Sequence, residues 1–154
     1  MYAVSVILLM VVLPLISIGN EHYIDHASTP LMLLAGKWFV FWSAGIRSST
    51  AGLRQFLQPR FTVEEIFGIR SDDALPFVRE LGIANFALGV VGILSIVRLD
   101  FVLPVAIAAC LFYGIASVRH MSDRQKGAKQ NLAMVTDVFV SVVLVAYIVY
   151  AVAH

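Results

Sequence analysis

Asp137 places a carboxylate inside a run, residues 131–153, that is otherwise almost wholly apolar. In a helix it would lie about two turns, roughly 9–10 Å, from the end of that run. Ionisable groups at such depth turn inward, where they pair with one another or serve an ion, a proton or a lipid headgroup. Arg47 reaches a similar depth in the run 30–58, so an Arg47–Asp137 pair is expected. Glu80, at the mouth of a third run, is expected to face Arg54. With Asn85 and Tyr113 these residues form the candidate ligand-binding set: Arg47, Arg54, Glu80, Asn85, Tyr113 and Asp137. Lys37 lies near the opposite end of its run with no acid obvious at its depth, and its stem is expected to snorkel outward.

Other reactive residue types carry less. His22 and His26 are four apart and flanked by Glu21 and Asp25, and His154 falls on the same side. Imidazoles at that spacing can share a metal if the segment is helical, but the His-Glu-x-x-His signature is missing, so the expectation is no metal. His120, beside Arg119 at a run's end, is expected to cap helix carbonyls. Cys110, the single cysteine, lies in an apolar run and reads as a small buried hydrophobe. The sequence shows no nucleophile–base constellation, phosphate loop or dinucleotide fingerprint, and no deep histidine pair for haem. No catalytic residue and no cofactor is assigned, and the enzyme reading ranks last. A quinone-linked enzyme has only the aromatic cluster Trp38, Phe39, Phe41 and Trp42 in its favour, and that composition also suits an interfacial aromatic belt.

The elements that must position these residues follow from hydropathy. Sixty per cent of the 154 residues are apolar and 14% are charged, with a mean hydropathy of +0.87. A water-soluble domain of this size keeps too much surface to hide such a composition. The net charge of +1 offers no concentrated basic patch for nucleic acid. The fold class is therefore all-α: a polytopic transmembrane bundle of about five helices, read as one domain spanning 1–154. The helices fall at about 2–18, 30–58, 76–97, 101–118 and 131–153, with a short interfacial helix near 62–69. Gly19 and Asn20 are expected to stop the first. Ser28-Thr29-Pro30 should open the second and Pro59 should end it. Thr62 and Glu65 have capping-box spacing. The first run lacks a basic leader and an Ala-x-Ala site, so it reads as a retained helix rather than a cleaved signal. Four crossings, with the first run in the interface, is the alternative count.

Each run also has a face of small or polar residues, the composition that lets membrane helices approach closely. These are Gly36, Ser43, Arg47 and Arg54, with Lys37, Ser48 and Gln55 adjacent, on the second. Gly82, Asn85, Gly89 and Gly92 share a face of the third. Ala106, Ala109, Tyr113, Ser117 and His120 do so on the fourth, and Gln130, Met134, Asp137 and Ser141 on the fifth. Basic residues concentrate in 47–79 and 119–129, whereas 21–30 has none. Under the positive-inside rule this puts the N-terminus in the cytoplasm and the C-terminus outside, across the inner (plasma) membrane.

The stretches Lys37-Trp-Phe-Val-Phe-Trp-Ser-Ala-Gly-Ile-Arg47, Ala51-Gly-Leu-Arg-Gln55, Phe61-Thr-Val-Glu-Glu-Ile-Phe-Gly68, Arg79-Glu-Leu-Gly-Ile-Ala-Asn-Phe86 and Asn131-Leu-Ala-Met-Val-Thr-Asp137 resemble a family of small bacterial membrane proteins. It is catalogued as domain of unknown function 6790. The resemblance covers roughly residues 30 to 150; it implies the membrane class and no chemistry. A more distant likeness to the DoxX-like four-helix proteins would make the first helix an addition to a four-helix core. The favoured function is a non-enzymatic bundle that binds a small lipophilic ligand or serves as an accessory subunit of a membrane complex. The alternative is a small transporter or channel using Asp137 or Glu80 for a proton or cation. Expected partners are the bilayer, a lipophilic ligand, and a second copy or another membrane protein, with no nucleic acid.

Overall fold

A computed structural model of the chain describes residues 2–26, 28–122 and 127–154. The described residues form five long helices and one short one: α1 Tyr2–Ile24, α2 spanning 31–57, the short α3 Phe61–Ile66, α4 Leu75–Leu94, α5 Val102–Ser122 and α6 Ala128–Ala153. Four of them, taken as Tyr2–Ile24, Asp72–Leu94, Leu99–Met121 and Ala128–Ala153, are long and apolar enough to cross a membrane. Helix α2 is as long, but Lys37, Arg47 and Arg54 and its serines lower its apolarity.

Apolar residues cover the outside, where Val4, Phe77, Ile115 and Val152 are each about two-thirds exposed or more. Hydrocarbon is the solvent that makes such a surface stable. The interior is built from all of the long helices except α4's apolar face: Val6 and Met10 of α1, Phe39, Val40 and Ala44 of α2, Ala106 and Ala109 of α5, and Val140 and Leu144 of α6. Helix α1 is thus part of the packed core.

Glycines set the closest approach. Helix α4 lies antiparallel to α2, with Gly92 against Gly45, Gly89 against Ser49 and Gly82 against Gly52. A methyl group added at Gly92 would sit 2.7 Å from the Gly45 Cα, and one at Gly82 would sit 2.8 Å from the Gly52 carbonyl oxygen. The glycine face of α4 is a backbone-to-backbone seam, the arrangement small residues permit in membranes.

Several boundaries depart from expectation for identifiable reasons. Helix α1 does not stop at Gly19 and Asn20 but continues through a wide turn, Asn20–Ile24, where Glu21 is anchored to α2. A second wide turn, Leu8–Val12, precedes Pro14; the proline has no N–H for a carbonyl one turn back and crowds it, and the widened turn absorbs both effects. Ser28 and Thr29 do not cap α2, which starts at Pro30 without a side-chain cap. The Thr62–Glu65 capping box does not form either: Thr62 is buried and Glu65 turns to Lys129 of α6. Helices α5 and α6 run further into the 119–130 loop than hydropathy suggests, to Ser122 and from Ala128. Arg124 and Lys126 of the expected basic loop lie outside the described residues.

Candidate functional site

At one end of the bundle the five long helices and α3 surround a cavity of about 960 Å³. Its walls come from the start of α1 (Tyr2 to Leu9), the second half of α2 (Arg47 to Gln55), α3 and the residues after it, the start of α4, the end of α5 (Phe112 to His120) and the start of α6 (Gln130 to Asp137). Helix α2 contains a wide turn, Val40–Arg47. An i→i+5 turn offsets the faces before and after it. Lys37 therefore belongs to one side of the bundle, while Arg47, Ser48, Arg54 and Gln55 all reach the cavity.

Polar contacts fix the walls. The Tyr113 hydroxyl donates to the Ser43 carbonyl at 2.6 Å. Its single proton being used there, it accepts from the Ser48 hydroxyl at 3.1 Å. Asn85 Nδ2 donates to Gln55 Oε1 at 2.8 Å, linking α4 to α2. Gln130 Nε2 and His120 Nδ1 lie 3.0 Å apart and link α6 to α5. The short helix closes one side. Phe61 packs under the Arg54 guanidinium, 3.5 Å from the ring centroid, with the Lys129 ammonium 5.4 Å away and Tyr2 beyond it. Lys129 also donates to Glu65, and its charge and hydrogen bond hold the Glu65 carboxyl below the usual range. Gly68, in a left-handed conformation (φ +68°), turns the chain away after α3.

Five of the six candidate residues, Arg47, Arg54, Asn85, Tyr113 and Asp137, line this one cavity. Glu80 does not: it is exposed on the outside of α4, and no ion pair joins it to Arg54, which is held instead by Phe61. Arg47 and Asp137 share the cavity without forming a direct ion pair among the described residues, and the Arg47 Nε is enclosed without an acceptor. Lys37 does not snorkel free. Its ammonium is 2.8 Å from both Glu21 carboxylate oxygens, and the Trp38 indole donates to the same carboxylate at 2.7 Å. Trp42 likewise donates to Ser17 of α1 at 3.0 Å, so two of the four clustered aromatics tie α2 to α1.

His120 is a wall residue paired with Gln130, and Arg119 beside it lines the cavity too. The signal for His120 was its place on the Tyr113–Ser117 face. Arg119 offered none beyond its position at a helix end. Among the described residues, no three His, Cys, Asp or Glu side chains converge as metal ligands; Glu21, beside His22, is committed to Lys37 and Trp38. Cys110 is partly buried, its thiol directed at the Ser141 carbonyl at 3.8 Å.

Long apolar helices around a polar-walled cavity define the class: a multi-pass membrane helix bundle. The chain belongs to the family of unknown function DUF6790, whose profile matches residues 1–154. The match includes α1, which is therefore part of the family's fold. No curated protein and no solved structure matches the chain.

Proposed function

We propose that this protein is a non-enzymatic membrane bundle that holds a small lipophilic ligand in the cavity at its basic end. One observation carries the reading: every long helix contributes to a single cavity of about 960 Å³, at the upper end of the roughly 300–1,000 Å³ usual for small-molecule sites. Tyr113, Asn85 and Gln130 are hydrogen-bonded across helices, which fixes the walls. None of the pairs, Tyr113 with Ser43 and Ser48 or Gln130 with His120, places a base on an activated nucleophile. Five crossings of the inner membrane, with the N-terminus in the cytoplasm, would open the cavity toward the cytoplasmic leaflet.

Native mass spectrometry of the chain, extracted gently from its own membrane, tests this. A retained small molecule is the expected result. A bare chain would remove the ligand reading, and a chain carrying only another protein would favour an accessory subunit.

A second reading has its own observation. Asp137 is a carboxylate at membrane depth on the wall of an accessible cavity, the position from which a transporter or channel moves a proton or cation. Glu80, on the outer surface, has no such position. Ion or proton flux in proteoliposomes that is lost in Asp137→Asn would support that reading, and flux indifferent to the change would end it.

A further inference from the structure

The described lysines and arginines fall into three groups. Lys37, Arg60, Arg98 and Lys129 each have a carboxylate partner. Among the described residues Arg47, Arg54 and Arg119 have none within ion-pair distance, yet all three line the cavity. Arg70 and Arg79 also lack one, but they stand outside the cavity wall. Acids are not in short supply: Glu80 is exposed on the neighbouring helix and turned outward. Among the described residues the cavity wall has one carboxylate, Asp137, against three guanidiniums.

We propose that the cavity takes an anionic amphiphile, with a phosphate or carboxylate head group between Arg47, Arg54 and Arg119 and its apolar tail against Val6, Leu9, Leu81 and Phe112. This rests on the ligand-binding reading above and supplies the ligand's chemistry. Arg54 and Arg119 remain exposed, but Arg47 is partly buried and its Nε is enclosed without an acceptor; a cation withdrawn from water without a partner is costly. An oxyanion relieves that cost, because the planar guanidinium fork matches carboxylate and phosphate oxygens two at a time. Size argues for the tail. A bare oxyanion would leave most of the 960 Å³ empty, and Val6, Leu9, Leu81 and Phe112 give the wall an apolar portion beside its polar groups. Asp137 opposes the anion, so the site is anionic in preference by the difference, and removing the Asp137 charge strengthens it. A site built for a cation behaves in the opposite way.

The test uses the full chain in a non-ionic detergent, with binding read by native mass spectrometry and by thermal shift. Three probes separate charge from tail: dioleoyl phosphatidic acid, dioleoylglycerol with the same tail and no charge, and inorganic phosphate with charge and no tail. Phosphatidic acid should bind at least about tenfold more tightly than either of the others. Arg54→Gln and Arg119→Gln, both at exposed positions, should each weaken it about tenfold. Asp137→Asn should tighten it, and Arg79→Gln, outside the cavity, should leave it unchanged. Equal binding of dioleoylglycerol would overturn the anionic head group while leaving the lipophilic-ligand reading intact. Phosphate as tight as phosphatidic acid would make this a soluble-anion site and overturn the tail. Weaker binding in Asp137→Asn would overturn the proposal in favour of a cation, and binding of none of the three would overturn it outright.

Discussion

The two halves of α2 treat positive charge in opposite ways. Near one end, Lys37 is partly buried against α1 and is neutralised by both oxygens of Glu21, with Trp38 donating to the same carboxylate. Beyond the wide turn, Arg47 and Arg54 enter a cavity in which no carboxylate among the described residues lies within ion-pair distance of them. The first arrangement holds two helices together and gives the ammonium its counter-charge within the fold. The second leaves donors pointing into space large enough for another molecule. A charge that the fold itself neutralises is structural; a charge that the fold surrounds but does not neutralise is where the ligand proposed above would supply the missing partner.

Several substitutions would break or sharpen this contrast. The largest effect belongs to the seam that holds both halves in place: Gly92→Leu drives a side chain into the α2 backbone at Gly45 and should cost about 3 kcal/mol or more, visible as loss of the folded fraction on thermal unfolding in detergent. At the neutralised end, Glu21→Gln strands a half-buried ammonium and should cost about 1–3 kcal/mol. Adding Lys37→Met to Glu21→Gln should restore part of that loss, and additive losses would show that the pair is not coupled. At the cavity, Arg54→Gln should change stability by less than about 0.5 kcal/mol while depleting the retained ligand. An equal loss of stability at both ends would erase the distinction. A double-mutant cycle of Arg47→Ala and Asp137→Ala should give coupling below about 0.5 kcal/mol, because the two do not touch; coupling as large as that of Lys37 with Glu21 would mean that they pair after all.

The smallest effect concerns pH. Lys129 depresses the Glu65 carboxyl by hydrogen bond and charge. A lowered carboxylate contributes its stabilisation above its ordinary value, about 4.3, and loses it as pH falls through the lowered one. The α3 tether should therefore be constant from about pH 5 upward and loosen only below about pH 4. A spin label at the exposed Arg70→Cys, in a Cys110→Ala background, should gain mobility only on that acid side. Lys129→Gln should show the same mobility at neutral pH.

Much of the site was legible because membrane depth makes polar residues conspicuous. Arg47, Asn85, Tyr113 and Asp137 each interrupt an apolar run, and all four line one cavity. Glu80 misled because it sits near the start of α4, where hydropathy no longer says whether a side chain faces a neighbour or the surface. Lys37 misled in the opposite direction. Its partner Glu21 lies beyond Gly19 and Asn20, which read as a helix stop, and only the continued last turn of α1 brings the acid within reach. Gln55 and Gln130 were visible on polar faces, but their partners, Asn85 and His120, come from other helices, and helical periodicity in one segment carries no information about the next.

By itself the sequence determined the solvent, the helical class and the small-residue faces, because hydropathy, run length and the 3.6-residue repeat are local properties that the bilayer enforces segment by segment. It also determined that polar groups would turn inward, since hydrocarbon offers them no partner. Tertiary structure alone decided which glycines meet, through the antiparallel register of α2 and α4, and which charges are neutralised, through the rotation that the wide turns impose on α1 and α2. Pairing depends on the relative azimuth and height of two helices. Those are set by the sum of packing contacts along their whole length, and no single stretch of sequence contains that sum.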